Sequence, residues 1–208
     1  GTLEILELIK NLKSLKKIII FTSDKVYKND HQKLNEDSKL GGIDPYSASK
    51  SCQDIISQCY NLSFLKKQMI ILRSGNIIGG GDFEYSRLIP EIFLSFKKNK
   101  KIFIRNPNSI RPWQHIFDVI NALLAIICKS SQKIENNSIT FNVGPNRNSN
   151  IKVISLVNKL TKNFNNLQFG FQRKDKFNET KILKLSNEKI KKKIKWKPKI
   201  SISKALKL

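Results

Sequence analysis

Short, wholly apolar runs alternate with amphipathic stretches along this sequence. Residues 18–21, IIIF, follow a segment with leucine and isoleucine at helical spacing, and a second apolar run, MIIL, occupies residues 69–72. A strand without alternation of apolar and polar residues is buried on both faces, as in parallel sheets that are covered by helices. The pattern therefore predicts an α/β protein with a doubly wound parallel sheet.

Other local signals predict the remaining elements. We expect a helix over residues 2–12, and a second helix that Asp44 caps and Pro45 begins. Further along, the predicted elements are a helix before residue 101, a strand over 101–106, a loop from residue 110 that leads into a long apolar helix, a strand over 139–144, a helix over 151–164 and a weak strand over 180–185.

The chain is strongly basic, with 39 Lys and Arg against 16 Asp and Glu and a net charge of +23. Such a charge usually indicates a nucleic-acid or membrane partner. Here the lysines are spread over the whole chain, and only residues 187–199 form a concentrated patch, which we interpret as the solvated face of a short helix. No run is long enough to cross a bilayer and no signal peptide is evident, so we expect a cytoplasmic protein without a nucleic-acid or membrane partner.

The cysteines and histidines indicate neither a disulfide framework nor a metal site. Three cysteines, none in a C-x-x-C spacing, stand at Cys52, Cys59 and Cys128. We expect them to be reduced and mostly buried. The two histidines, His31 and His115, are too few and too far apart to hold a metal ion by themselves.

Polar side chains follow both apolar runs directly. Ser-Asp-Lys stands at residues 23–25 and Ser-Gly-Asn at residues 74–76. Ligands of open α/β sheets bind beyond the carboxyl ends of the strands, so we expect both groups at one rim. Tyr46 and Lys50 are four residues apart on the predicted helix and share one of its faces. A neighbouring ammonium lowers the pKa of a phenol, which would make this pair a usable base.

These motifs resemble those of the extended short-chain dehydrogenase/reductase family, and within it the nucleotide-sugar 4,6-dehydratases, with the nearest likeness to those that act on CDP-glucose. The likeness rests on blocks that occur in order along nearly the whole chain: TSDKVY (22–27), LGGIDPYSASK (40–50), RSGNIIGGGD (73–82), RLIP (87–90), IRNPNSIRPWQH (104–115), NVGP (142–145) and WKP (196–198).

The resemblance implies the C-terminal part of a Rossmann-like doubly wound parallel sheet with an interleaved smaller substrate-binding lobe. Residues 1–78 would form a partial Rossmann-like domain that carries the catalytic residues. Residues 79–208 would form mainly the substrate-binding lobe, with one returning strand and helix of the Rossmann part over about 115–162.

The chemistry that the resemblance implies is oxidation of a nucleotide-bound hexose at carbon 4 by NAD, loss of water across carbons 5 and 6, and return of the hydride to carbon 6. Tyr46 would take the hydroxyl proton, with Lys50 tuning it and holding the nicotinamide ribose. Ser23 would hydrogen-bond the reacting oxygen, and Thr22 would lie at the cofactor. Asp24 would protonate the leaving hydroxyl, and Lys25 would remove the carbon 5 proton, where dTDP-glucose dehydratases carry a glutamate.

For substrate binding, the resemblance implies that Asn76 faces the sugar nucleotide and that Arg111 grips the diphosphate, since a guanidinium bonds phosphate oxygens bidentately. Arg87, Arg105 and His115 would assist in the same pocket. Isolated basic residues are mostly solvated, so the motif favours a binding role for Arg111 above the others. Trp113 fits packing equally well.

The chain departs from the family at its start. Dinucleotide-binding sheets normally open with a strand, a Gly-rich turn and a helix, whereas this chain opens with a predicted helix. The glycines at residues 79–81 follow a late strand and are interpreted as a flexible connection or as part of a pocket lining. We therefore expect an incomplete chain that is inactive alone, exposes an apolar strand edge and both sheet faces, and would form a homodimer when complete.

Two other functions remain open from the sequence. One is another nucleotide-sugar dehydratase or an epimerase of the same superfamily. The other, from a different class, is a basic nucleic-acid-binding domain.

Overall fold

The computed structural model describes residues 1–28, 33–129, 138–162, 168–171 and 180–208, and His31 lies outside these ranges. The helices are α1 (Thr2–Ile9), α2 (Pro45–Tyr60), α3 (Leu88–Lys97), α4 (Ile116–Lys129), α5 (Val153–Thr161), α6 (Glu188–Ile194) and α7 (Ile202–Ala205). The strands are β1 (Lys17–Ser23), β2 (Gln68–Ser74), β3 (Asn76–Ile78), β4 (Ile102–Ile104), β5 (Ile110–His115), β6 (Ser138–Val143), β7 (Asn150–Lys152) and β8 (Phe169–Phe171).

The first sheet has the strand order β1-β2-β6, and its neighbouring strands are parallel. The register pairs Ser23 with Ser74 and Ser74 with Val143, so the three strands end level with one another. Because parallel strands place their carboxyl ends on the same side, the polar residues that follow β1 and β2 emerge at one rim, as predicted.

Helices cover both faces of this sheet, which confirms the predicted doubly wound α/β fold. On one face, Met69 and Ile71 of β2 pack with Leu6 of α1 and with the end of α2. On the other face, Ile70 and Leu72 pack against α4 and α6. Successive residues of a strand point to opposite faces, so the unbroken apolar run of β2 supplies both cores.

The expectation that both sheet faces would be uncovered is wrong, because these helices bury β2 and β6. Within this sheet, Phe21 of β1 is the most exposed apolar residue, at 38%. Among the strands that the structure describes, β1 pairs with β2 alone, which leaves its other edge open.

A second lobe follows β2. It contains the sheet β3-β5-β7 and the parallel pair β4-β8. Its core joins Ile92 of α3, Ile104 of β4, Trp113 of β5 and Leu156 of α5. The chain then returns to the first sheet through α4 and β6, so the two lobes interleave. The boundary at residue 79 remains a proposal.

The segment from residue 110 is a strand, β5, and the prediction of a loop there is wrong. Its residues from Arg111 to His115 are buried, and it pairs in parallel with β3 and antiparallel with β7. A proline lacks the amide donor of a strand, and Pro112 is tolerated at the last antiparallel pair of the β5–β7 ladder, opposite Asn150.

The weak strand predicted over 180–185 is also absent from this part of the described chain. Ile182 and Leu185 make single bridges to Ile110 and Leu34 instead. The predicted helix over 151–164 begins at Val153, because the residues before it pair with β5 as β7.

The three cysteines are exposed, which corrects the expectation of buried thiols. Cys52 and Cys59 lie on the outer side of α2, and Cys128 lies near the end of α4. The buried side of α2 carries Ser51, Asp54 and Ser57, and the two thiols lie outside it.

The basic patch at residues 187–199 forms the solvated face of an amphipathic segment, as interpreted from the sequence. Ile190, Ile194 and Trp196 are buried against α4, while the lysines between them are exposed. The backbone amides of Lys199 and Ile200 donate to the Asp118 carboxylate at 2.9 Å each, which fixes the segment beyond α6.

Within the described ranges no helix has the length and apolar character needed to span a membrane. The same ranges contain no group of three or more metal-ligating side chains.

We predict that Leu72→Ala lowers the free energy of unfolding by about 2–5 kcal/mol, since it opens a cavity in the central strand of the first sheet. Leu72 is fully buried, whereas Ile43 is 73% exposed and provides the matched control. Urea denaturation of the chain should show a change within about 0.5 kcal/mol for Ile43→Ala. Equal effects of the two substitutions would contradict this assignment of the core.

Candidate active site

A cavity of about 1560 Å³ lies beyond the carboxyl ends of β1 and β2, between the first sheet and the second lobe. The end of β1, the start of α2 and the segment from β3 to α3 line it together with β5. Among the predicted site residues that line it are Thr22, Ser23, Asp24, Lys25, Tyr46, Lys50, Asn76, Arg87, Arg105 and Arg111.

The strand β1 ends in a short 3₁₀ turn that places Ser23 and Asp24 at this rim. The Ser23 hydroxyl accepts a hydrogen bond from the Lys25 amide at 3.2 Å and donates to Asp24 Oδ1 at 3.1 Å. This local capping stops the strand and turns the chain back toward the cavity. The crowding of polar groups after β1 therefore has a structural cause, since Ser23 both ends the strand and holds Asp24.

Asp24 is the most perturbed carboxyl group at the cavity. It is 3% exposed, and its Oδ2 has no hydrogen-bond partner among the described residues. Burial raises the pKa of Asp24 from its ordinary value of 3.8 to about 6, although the Ser23 hydrogen bond and the charges of Lys25 and Arg111 oppose the rise. A carboxyl group with a pKa near neutral can hold and release a proton under working conditions.

Tyr46 and Lys50 lie on the first turns of α2, on the side that faces the cavity. Asp44 caps this helix by accepting from the Ser47 amide at 2.9 Å. Tyr46 is 50% exposed, and Lys25 Nζ lies 5.7 Å from the centre of its ring. Lys50 Nζ instead donates to Gln53 Oε1 at 3.0 Å. The structure thus places the Lys25 ammonium on the tyrosine ring and directs Lys50 along the helix.

The predicted substrate residues occupy different positions around the cavity. Asn76 begins β3, and Arg111 is a buried residue of β5 whose guanidinium donates to the Ile110 carbonyl at 3.1 Å. Arg87 is exposed and pairs with Asp82 at 3.0 Å. An exposed Arg105 donates to the Ser86 carbonyl at 3.3 Å.

His115 lies away from the cavity that the other predicted residues line. It is 3% exposed, and its Nδ1 accepts a hydrogen bond from the Phe117 amide at 3.2 Å at the start of α4. The structure therefore does not bring His115 together with the other predicted residues.

Two glycines allow close approaches beside the cavity. A Cβ at Gly75 would lie 2.7 Å from the Pro112 carbonyl oxygen, so the corner between β2 and β3 can approach β5 only without a side chain. A Cβ at Gly79 would lie 2.6 Å from Ile116 Cγ2. Residues 79–81 line the cavity, which favours the pocket-lining interpretation of this glycine cluster.

A buried polar network behind the rim was missed by the sequence analysis. Arg73 of β2 forms a bidentate ion pair with Asp54 of α2, with Nε–Oδ2 and Nη2–Oδ1 distances of 2.8 Å. Arg73 Nη1 also donates to the Tyr27 hydroxyl at 3.0 Å, which in turn donates to Asn142 Oδ1 at 2.6 Å. The one signal in the sequence was the position of Asp54, four residues after Lys50 on the same helix face.

The fold is Rossmann-like, with a polar cavity at the carboxyl ends of its parallel strands. Residues 1–144 match the NAD dependent epimerase/dehydratase family, and the chain belongs to this family. The predicted cofactor class, NAD, is thereby confirmed for the family.

Two relatives are similar to more than half of this chain. The chain is 34% identical to CDP-glucose 4,6-dehydratase from Salmonella typhimurium over 167 residues, which are 76% of this chain and 46% of that protein. It is 35% identical to dTDP-D-glucose 4,6-dehydratase from Dictyostelium discoideum over 142 residues, 62% of this chain and 32% of that protein. The chain thus spans less than half of the length of these two relatives.

Solved structures show the same fold. UDP-glucuronic acid 4-epimerase from Bacillus cereus, in complex with UDP-glucuronic acid and NAD, superimposes with a TM-score of 0.86 at 20% identity, covering 99% of this chain and 63% of that chain. dTDP-glucose 4,6-dehydratase from Bacillus anthracis, in complex with NAD, gives a TM-score of 0.81 at 21% identity, with 99% and 64% covered.

The described residues fit one end of NAD only. Tyr46 and Lys50 present a phenol and an ammonium at the rim, which suit a nicotinamide ribose, whereas the Thr22 hydroxyl donates to the buried Asp54 carboxylate. A strand that leads through a Gly-rich turn into a helix, the usual pyrophosphate site, does not occur among the described elements.

We predict that Asp24 makes the chain less stable as the pH rises from about 4 to about 6. Its folded pKa is raised above 3.8, so the folded state binds this proton more tightly than the unfolded state. The stabilisation is complete below the unfolded pKa and is lost as the pH rises through the folded pKa. The loss should reach about 3 kcal/mol, since one pKa unit corresponds to about 1.4 kcal/mol.

Urea denaturation across this pH range should reveal the effect as a difference between the wild type and Asp24→Asn, which cannot titrate. Other carboxylates contribute equally to both proteins and cancel. A pH-independent difference would show that Asp24 titrates at its ordinary pKa.

Proposed function

We propose that this chain provides the catalytic and substrate-binding part of an NAD-dependent nucleotide-sugar 4,6-dehydratase that converts CDP-glucose to CDP-4-keto-6-deoxyglucose. The observation that carries the proposal is the buried carboxyl group of Asp24 at the cavity, with a pKa of about 6. Removal of water from a sugar requires an acid for the departing hydroxyl, whereas inversion at one carbon requires none. The arrangement therefore favours a dehydratase over an epimerase.

Bound NAD would supply the acceptor for the hydride at carbon 4 and its donor at carbon 6. In the first step, Tyr46 takes the proton of the carbon 4 hydroxyl. The Ser23 hydroxyl, which is fixed at the end of β1, hydrogen-bonds the same oxygen. Lys50 holds the nicotinamide ribose, and Lys25 Nζ lies 5.7 Å from the centre of the Tyr46 ring.

The second step is elimination. The ketone at carbon 4 makes the carbon 5 proton acidic, and Lys25 removes it in the neutral amine form, which has a lone pair to accept the proton. Asp24 donates its proton to the carbon 6 hydroxyl, which leaves as water. Burial keeps part of the Asp24 population protonated near neutral pH, so the acid is available when the carbon 5 proton is taken.

The substrate would bind between the second lobe and the rim. Asn76 faces the sugar, and Arg111 approaches the diphosphate from β5, with Arg87 and Arg105 at the outer side of the cavity. The position of His115 does not support a binding role. The preference for CDP rather than dTDP rests on the greater coverage of the CDP-glucose 4,6-dehydratase relative and on Lys25, which stands where dTDP-glucose dehydratases carry a glutamate.

An isotope experiment tests the reaction with the chain joined to a nucleotide-binding half from the Salmonella relative. CDP-glucose with deuterium at carbon 4 should yield a product that has lost one water and carries the deuterium at carbon 6. A product of unchanged mass that keeps the deuterium at carbon 4 but has the inverted configuration there would indicate an epimerase. Binding of arbitrary DNA that falls steeply with salt, without CDP-glucose binding, would favour the nucleic-acid alternative.

We predict that Asp24→Asn in this joined protein stalls the reaction after oxidation. The amide cannot donate a proton to the departing hydroxyl, so elimination should slow by about 10²–10⁴-fold while the carbon 4 ketone still forms. Mass spectrometry and NMR of the bound sugar should reveal the 4-keto hexose with its carbon 6 hydroxyl in place. Unchanged turnover would refute the acid role of Asp24, and Ile43→Ala serves as a control outside the cavity.

We also propose that the protein forms a homodimer through α1 and α2. The two helices and the residues just after α1 carry exposed apolar side chains, which we call the α1–α2 face. Its residues are Ile5, Leu8, Leu12, Ile55 and Ile56, exposed by 57%, 75%, 49%, 45% and 39%. An exposed apolar patch of this kind suits a two-fold interface, in which two helices from each copy pack together. A second exposed apolar stripe, on α4, offers a comparison.

We predict that Leu8→Glu combined with Ile55→Lys abolishes dimers, because charges would be buried in the two-fold interface. Sedimentation equilibrium should then give a monomer, whereas the wild type gives a dimer. Leu124→Lys on α4 is the matched control, since the exposure of Leu124, 54%, lies between those of Leu8 and Ile55, and it should leave the dimer intact. A dimer that only the α4 variant dissociates would place the interface on the other side of the sheet.

A further inference from the structure

The ion pair between Asp54 and Arg73 joins the helix that carries the proposed base to the strands that carry the proposed acid. Asp54 is 0% exposed in the middle of α2, and Arg73 is 2% exposed near the end of β2. Neither side chain lines the cavity, so neither is positioned to touch a substrate. Their function must therefore be exerted through other residues.

On α2, Tyr46, Lys50 and Asp54 follow one another at intervals of four residues. With 3.6 residues per turn, such residues lie along nearly the same side of the helix. Fixing the Asp54 carboxylate therefore fixes the rotation of the side of α2 that presents Tyr46 and Lys50. The Asp54 carboxylate also accepts a hydrogen bond from Gln58 Nε2 at 2.7 Å on the following turn.

Across the interface, the same carboxylate and guanidinium reach both ends of the segment that holds Ser23 and Asp24. Thr22, directly before this segment, donates to Asp54 Oδ2 at 3.2 Å. Tyr27, directly after it, accepts from Arg73 Nη1 at 3.0 Å, and the Arg73 guanidinium stacks over its ring at 4.9 Å. One ion pair thus holds the residues on either side of the proposed acid.

The bidentate geometry matters for this role. A single hydroxyl contact, such as that from Ser51 to the Val26 carbonyl at 2.9 Å, holds one point of the interface and can pivot. Two parallel bonds from the planar guanidinium fix two oxygens at once. Burial disfavours the charge of Arg73, but the interactions with Asp54 and Tyr27 together more than offset this and raise the pKa of the guanidinium.

Stability alone does not explain such a pair. Taking two charges out of water costs several kcal/mol per ion, and replacement by apolar residues of similar volume is often neutral or stabilising. A buried pair is therefore better explained by the orientation that it imposes on its neighbours.

We propose that Asp54 and Arg73 are positioning residues, which set the placement of Tyr46 on α2 relative to the residue 23–25 segment at the end of β1. The catalytic meaning of this placement rests on the proposed function, but the placement itself does not. A displacement of about 1 Å at a reacting group can cost about 10²-fold in rate, so a device that fixes this geometry has a large effect.

The contact between Lys25 and the Tyr46 ring reports the placement directly, without cofactor or substrate. With Lys25 Nζ 5.7 Å from the ring centre, the Lys25 side-chain methylenes and the Tyr46 ring protons should give a nuclear Overhauser effect in the wild-type chain. The Lys25→Ala variant identifies this signal, because it removes the methylenes that give rise to it.

The decisive variant combines Asp54→Leu with Arg73→Met, which replaces the pair by apolar side chains of similar size. We expect this variant to fold with a urea midpoint close to that of the wild type and to lose the Lys25–Tyr46 signal. A folded double variant that keeps the full signal overturns the proposal.

If the double variant does not fold, Arg73→Lys decides, because its single ammonium keeps the charge but cannot bond both oxygens. A weakened signal then supports the proposal, and an unchanged signal overturns it.

Asp118→Asn is the matched control, since Asp118 is also a buried carboxylate, 3% exposed, but it holds the segment beyond α6. This variant should lower the urea midpoint and keep the Lys25–Tyr46 signal. Loss of the signal in the control as well would show that it reports general loosening, and the positioning role would be rejected. The readout is independent of turnover, so a failed dehydratase assay and a failed positioning test are distinguishable.

Discussion

The level, parallel pairing of β1 with β2 is the constraint on which the site depends. Ser23 stands opposite Ser74, so the segments that follow the two strands leave the sheet at the same height. Without this register, the residues after β1 could not face Asn76 and the second lobe across one cavity. A shift of β2 by one residue would exchange the side chains that face its two helical layers and would turn Arg73 away from Asp54.

Two buried aspartates, Asp54 and Asp24, have different roles because their surroundings differ. Asp54 accepts hydrogen bonds from Arg73, Gln58 and Thr22, so both of its oxygens are paired and it holds the structure in place. Asp24 is held by Ser23, has an oxygen without a described partner, and its pKa is raised to about 6 by burial. A pair of carboxyl groups in contrasting environments commonly separates a group that handles protons from one that holds the structure.

Much of the fold could be predicted from the sequence, because its signals are local. The apolar runs predicted β1 and β2, and Asp44 with Pro45 predicted the start of α2. The strand β5 was missed because Pro112 suggests a loop, and its tolerance depends on a ladder end that no local pattern reveals. The thiols were expected inside because cysteine is usually buried, yet the buried stripe of α2 is set by Asp54 and its neighbours.

The candidate site could be predicted only as far as strand ends and helix spacing allow. These features brought Ser23, Asp24 and Tyr46 to one rim, whereas the contact of Lys25 with Tyr46 depends on how a turn and a helix pack. The Asp54–Arg73 pair joins residues 19 positions apart and has no signature in the sequence beyond the spacing from Lys50.

The exposed thiols give the protein built-in markers on two sides of the first sheet. Cys52 and Cys59 lie on the outer side of α2, and Cys128 lies on α4 on the opposite layer. Any polypeptide that covers one layer would shield its thiols from an alkylating reagent and leave those of the other layer reactive. Alkylation of the native cysteines can therefore show which layer is covered. The same thiols make the chain prone to cross-linking between copies once reductant is exhausted.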